Sequence, residues 1–209
     1  MTRGRFITIE GGEGAGKSTQ LRRLAASLRG RGIDCLLTRE PGGTEGAEAI
    51  RELLVHGPAE RWRPLAELYL FLAAREDHLH RAVLPALARG AWVLCDRFAD
   101  STRVYQGIAG GLGLELVDRL QAPLLERHRP DLTLVLDLPV EVGITRCVQR
   151  GALARFEAKG GAYHQRVRDG FLELARLEPG RFAVIDASGD EEGVAAAVLR
   201  AVDAGLEVP

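Results

Sequence analysis

Apolar positions along the chain fall into two alternating kinds of run. Short unbroken runs over 5–10, 34–39, 91–95, 132–138 and 182–186 are bounded by glycine, proline or charge and read as buried strands. Between them apolar residues recur at helical spacing. Leu21, Leu24, Ala25 and Leu28 predict a helix to Arg29, ended by Gly30 and Gly32. Ala47, Ile50 and Leu54 predict a second, with Thr44 as its N-cap. Leu65, Leu68, Leu72, Leu79, Val83 and Leu87 predict one long helix, kinked near its end by Pro85. Further helices are predicted over 114–126, 141–149, 163–178 and 191–204, and the stretch after Asp96 reads as irregular and glycine-rich. Buried strands separated by helices predict an α/β fold: a five-stranded parallel sheet with helices on both faces, in a single domain over 1–209. Ligands of such a fold gather at the carboxyl ends of the strands.

The first strand runs into Gly11-Gly12-Glu13-Gly14-Ala15-Gly16-Lys17-Ser18, followed by Thr19 and a predicted helix. Gly, any four residues, Gly, Lys, Ser between a strand and a helix is the phosphate-binding loop of nucleoside triphosphate enzymes. Glycines let the backbone curl so that N–H groups point inward at a helix N-terminus, where negative charge is favoured. Lys17 is expected as an exposed ligand of the outer phosphates, and Ser18 as a ligand of Mg²⁺. The loop implies triphosphate binding and leaves the purpose open.

Charge and composition narrow the partners. The net charge of −1 over 209 residues gives no support for a nucleic-acid surface. Cys35, Cys95 and Cys147 stand singly, which argues against structural zinc and a disulfide framework and fits a reducing compartment, here the cytoplasm. No apolar run approaches 18 residues, so neither a membrane span nor a signal peptide is indicated. Asp96 closes the third strand and reads either as a Mg²⁺ group or as a cap of the next turn; Arg97 beside it favours the first. Arg51, Arg75 and Arg97 fall near the predicted ligand edge, each close to an aromatic residue or a turn, as a second anionic substrate would require.

Longer motifs are more specific than the loop. They are Thr38-Arg39-Glu40-Pro41-Gly42-Gly43-Thr44, Phe71-Leu72-Ala73-Ala74-Arg75, Asp96-Arg97-Phe98 with Ser101-Thr102 and Tyr105-Gln106, Arg129-Pro130-Asp131-Leu132-Thr133, and Arg150-Gly151 with Arg155-Phe156-Glu157. In order and spacing the chain resembles the bacterial thymidylate kinases, within the phosphate-loop nucleoside monophosphate kinases. The resemblance implies Mg²⁺-dependent transfer of the γ-phosphoryl group of ATP to dTMP, giving dTDP and ADP, in dTTP synthesis. It implies that Gly11 to Thr19 and Arg150 bind ATP, and that Ser18 and Asp96 hold the metal. Phe71 would stack on thymine while Arg75 and Thr102 bond its edge. Arg51 and Arg97 would hold the dTMP phosphate, with Glu40, Ser101 and Gln106 in the same pocket. Glu13 would stand near the sugar 3′-hydroxyl and the transferring group, and Tyr105 would crowd the 2′ position. Residues 150–161 would form a lid over ATP, and a homodimer is expected through the long apolar helices. Phe98 departs from the pattern, since the family often has Tyr or His there.

No variable loop position is basic, and members of the family put a catalytic arginine either in the loop or in the lid. Lys17, Arg97, Glu13 and a lid arginine are therefore the expected catalytic set, with Arg155 ahead of Arg150. Rival readings lack residues. A GTP-dependent switch needs Asn-Lys-x-Asp, and the chain contains no asparagine. A kinase of a non-nucleotide metabolite would lack the aromatic platform at Phe71. A plain ATPase would need no paired arginines.

Overall fold

The computed structural model describes residues 3–58, 60–126, 128–149, 155–156 and 159–206. Strands β1 (Phe6–Gly11), β2 (Cys35–Arg39), β3 (Trp92–Asp96), β4 (Leu132–Asp137) and β5 (Phe182–Asp186) form one sheet in the order β2-β3-β1-β4-β5. All neighbours are parallel, and the register matters for function. Asp96 pairs with Ile9 on one side and Arg39 on the other, while Gly11 pairs with Leu136. The polar strand ends therefore meet on one edge.

Side chains alternate across each strand, so the sheet buries both faces. On one face Ile7, Ile9, Leu94 and Leu134 pack under α1 (Lys17–Gly30) and α9 (Glu191–Gly205) through Leu21, Leu24, Val198 and Val202. On the other, Phe6, Val93 and Cys95 meet Leu79, Val83 and Phe98, and Val135 meets Val167 and Phe171 of α8 (Gly161–Leu177). No helix among the described residues is long and apolar enough to cross a membrane.

Two expectations change. The single long helix is α3 (Pro64–His78), a π-helical turn (Leu79–Val83) and α4 (Leu84–Ala88). The interruption lies just upstream of Pro85, which has no N–H for the carbonyl of Arg81 four residues back and whose ring would crowd it, so the regular α-helix gives way there to the π-helical turn. The stretch after Asp96 is not irregular: α5 (Ala99–Thr102) continues into a π-helical turn (Arg103–Ile108). The remaining helices are α2 (Glu45–Val55), α6 (Leu114–Leu125) and α7 (Val140–Gln149), and Thr44 caps α2 by accepting from Ala47 N at 3.3 Å. Of the expected lid, positions 150–154 and 157–158, Arg150 among them, lie outside the described residues.

Candidate active site

The loop after β1 turns through Gly16, left-handed at φ 85°, into α1, which begins without a side-chain cap and without acidic residues in its first turn. The positive end of the helix dipole is thereby presented to the loop. Lys17 is not exposed as expected. It retains 8% of its surface, and its Nζ donates to Gly12 O at 2.7 Å and Gly11 O at 3.2 Å. Burial and then Arg97 lower its pKa, against Glu13 and Asp96. Ser18 Oγ donates to Asp96 Oδ2 at 2.6 Å, joining the start of α1 to the end of β3. Behind the loop, Gly14 and Gly143 of α7 are packed backbone on backbone: a Cβ on Gly14 would strike Gly143 O, and one on Gly143 would strike Glu13 O. Arg146, one turn further along α7, donates to Gly14 O at 3.4 Å. No motif in the sequence pointed to Gly143 or Arg146.

Glu13 and Arg97 form the centre of the site. Arg97 Nη2 donates to Glu13 Oε1 at 2.9 Å, and Nη1 lies 3.2 Å from both Gly11 O and Ser101 Oγ. Tyr105 Oη donates to the same Glu13 oxygen at 2.8 Å, and the guanidinium lies over the Tyr105 ring at 4.8 Å. Burial pushes the Glu13 carboxyl up, but Arg97, Lys17 and Tyr105 outweigh it and hold it at about 2. Arg97 occupies left-handed backbone at φ 69°, a conformation that costs a non-glycine residue of order 1 kcal/mol or more. Beneath it, Glu10 accepts from Phe98 N at 2.8 Å and from Ser101 Oγ. Burial, and then Asp100, push the Glu10 carboxyl up to about 8.

Two clefts open from this centre. One, of about 790 Å³, runs along the loop past Lys17 and Ser18. The other, of about 730 Å³, is closed at its far end by Phe71, Arg75, Thr102 and Phe156. Glu13, Glu40, Arg51 and Arg97 line both. Arg51 is held at the junction by Pro41 O, 2.7 Å from its Nη1.

Arg75 is 1% exposed and engaged through all three nitrogens, with one N–H left on each Nη: Nε donates to Glu40 Oε2 at 2.9 Å, Nη2 to Thr102 Oγ1 at 2.9 Å and Nη1 to Gln121 Oε1 at 3.3 Å. Glu40 takes a second partner, His78 Nδ1 at 2.9 Å, and His78 Nε2 lies 2.6 Å from Thr38 Oγ1. Neither His78 nor Gln121 was among the expected site residues. Spacing could have found His78, since Phe71, Arg75 and His78 recur at helical intervals on one face of α3. Phe98 is wholly buried, with its ring 4.9 Å from Phe6 and the Arg75 guanidinium over it at 5.1 Å. It packs beneath Arg75 where a polar residue would have needed a partner.

Arg155 lies behind Phe156, a lining residue of the second cleft, whereas the lid reading expected it over the phosphate loop. Its Nε donates to Pro58 O at 3.0 Å, Nη1 to Leu54 O at 3.3 Å and to a carboxylate oxygen of Glu67, and its guanidinium lies over the Phe156 ring at 5.1 Å. It is thus tied to the end of α2 and to α3. Among the described residues no group of three or more His, Cys, Asp or Glu could hold a metal by itself.

The comparisons with known proteins agree on one family. The thymidylate kinase family profile matches residues 9–198. A thymidylate kinase of Caulobacter vibrioides is 58% identical over 198 residues, 95% of each chain, and one of Rhizorhabdus wittichii is 50% identical over 201 residues, 95% of this chain and 97% of the other. The crystal structure of thymidylate kinase from Ehrlichia chaffeensis superposes with a TM-score of 0.76 at 34% identity, covering 96% of this chain and 99% of that one. Matched along nearly its whole length by sequence and by fold, the chain belongs to the thymidylate kinase family.

Proposed function

We propose that this thymidylate kinase holds ATP along the Gly11–Thr19 loop and dTMP in the cleft ended by Phe71 and Arg75, so that the phosphates meet at Arg97 and Glu13. The observation that carries the reading is the wall the two clefts share. Phosphoryl transfer asks the protein for alignment and for positive charge near the transferring group, and little else.

Lys17 leaves the loop carbonyls for the outer phosphates once a triphosphate fills the loop, its buried ammonium exchanging neutral acceptors for charged ones. Arg97 and Arg51 grip the acceptor phosphate. Glu13, ionised and acceptor-only, takes the sugar 3′-hydroxyl as a donor and keeps Arg97 aimed at the junction. Phe71 stacks on the base, Arg75 and Thr102 bond its edge, and Tyr105 closes the space beside the sugar. The Ser18 hydroxyl and Asp96 carboxylate are oxygen donors of the kind Mg²⁺ takes, and one or two such groups suffice when the nucleotide's phosphates supply the rest. When bound, Mg²⁺ neutralises charge developing on the phosphates. Exposed Leu53, Leu65 and Tyr69 on α2 and α3 support a homodimer through these helices, and cysteines that stand singly in the sequence support a cytoplasmic setting.

ADP release in the presence of ATP and Mg²⁺ tests the reading, with dTMP, dUMP, dCMP, AMP and no acceptor run in parallel. Strong stimulation by dTMP is expected, and equal ADP release without acceptor would overturn it.

A further inference from the structure

Glu67 lies on α3, one turn before Phe71, and is 6% exposed. Its two oxygens are divided. Oε1 accepts from Gln106 Nε2 at 2.9 Å, and Oε2 accepts from Arg155 Nη1. Both donors lead to the second cleft. Gln106 lines it directly, and Arg155 backs Phe156, whose ring centroid stands 6.0 Å from that of Phe71 and 6.2 Å from that of Tyr105. Arg155 is pinned further by the carbonyls of Leu54 and Pro58, and its own N–H donates to Val55 O at 3.3 Å.

A buried ion pair is seldom a net source of stability, because desolvating both charges offsets their attraction. The placement of this one needs another reason. The charge stands where it fixes two walls of one cleft from behind, a turn away from the residue that forms a third. We infer that Glu67 is a positioning residue for the acceptor nucleotide: through Arg155 it sets Phe156 opposite Phe71, and through Gln106 it sets the wall beside them. The inference rests on the second cleft being the acceptor site. Glu67 touches neither nucleotide and neither phosphate in this arrangement, so it acts on acceptor binding and leaves donor binding alone.

Glu67→Gln removes the charge and gives one of the two donors an amide N–H to face. It is expected to raise the KM for dTMP about tenfold or more, the effect of losing a hydrogen bond to a charged group. The KM for ATP should stay within about twofold. Glu67→Asp, which keeps the charge on a shorter arm, should recover part of the loss. Arg155→Met should act in the same direction, and Glu67→Gln with Arg155→Met together should cost less than the sum of the two. Val198→Ala, a cavity in α9 remote from both clefts, supplies a variant of lowered melting temperature in which both KM values should hold.

An equal rise of both KM values, or an unchanged KM for dTMP in folded Glu67→Gln, overturns the inference and leaves Glu67 a structural residue. If Glu67→Gln does not fold, Arg155→Lys gives the same reading, since it keeps the charge but loses the planar fork over Phe156. Wild-type ADP release that ignores dTMP would instead overturn the assignment of the cleft, so the two failures are told apart.

Discussion

Glu13 Oε1 and Arg97 Nη2 face each other at 2.9 Å at the point where the two clefts join. Each keeps the other charged, and Arg97 is held there in left-handed backbone. Arg97→Ala should lower kcat by about 10²–10³-fold, the cost of removing one charge-stabilising donor. Lysine at 97 should restore only part, because it cannot reach Glu13, Gly11 O and Ser101 with one planar group. Single-turnover transfer measures this directly, and a near-normal rate in Arg97→Ala would move the transferring group elsewhere.

Lys17→Ala should lower transfer by a similar 10²–10³-fold. It should also cost about 1–2 kcal/mol of stability without nucleotide, because Nζ ties together the carbonyls of Gly11 and Gly12. Urea unfolding alongside turnover separates the two effects. Loss of activity with no loss of stability would mean that the loop holds its shape without the ammonium.

Phe71→Ala should weaken dTMP by about 1–3 kcal/mol, the range for base–aromatic stacking, with little change in ATP binding. Calorimetry with each nucleotide separately checks it. Equal weakening of both would make Phe71 a packing residue.

The buried Glu10 carboxyl sits at about 8 in the fold against 4.5 ordinarily. Between those values the folded protein holds a proton that the unfolded chain has released, so this group makes stability fall as pH rises from about 4.5 to about 8, and contributes no slope above that. Glu13, held at about 2, acts in the opposite sense and only below 4.5: its contribution is lost as pH falls toward 2. Melting temperatures of wild type and Glu10→Gln across pH 5–8 should show a shallower decline in the variant. Parallel curves would place the Glu10 titration outside this range.

The sheet, its helices and the loop were legible because each depends on local pattern: unbroken apolar runs, helical spacing, and a glycine-rich turn between them. Phe71, Arg75, Thr102 and Tyr105 were legible through longer motifs and do line one cleft. Partnerships across the chain were not. Nothing in the sequence joins Glu67 to Arg155, 88 positions apart, or Arg75 to Gln121, 46 apart. Periodicity reports which face a residue takes and not which distant charge it meets. Arg155 shows the same limit: its motif located a segment, and the partner its guanidinium takes in Glu67 was not legible there. Pro85 did mark where the long helix is interrupted, though not the form of the interruption, a π-helical turn just upstream.

The contact between Gly14 and Gly143 bears on how such a gene can vary. Every single-base change that alters a glycine codon without ending the chain introduces a residue with a Cβ. At position 143 that atom would meet the carbonyl of Glu13, and no rotamer can move it aside, because it is fixed by the backbone. The start of α7 lines neither cleft among the described residues, yet a one-step mutation there would displace the glycine-rich loop after β1. Selection on nucleotide supply thus reaches a helix remote from the acceptor, and heat-sensitive alleles are to be sought at codon 143 as readily as in the loop itself.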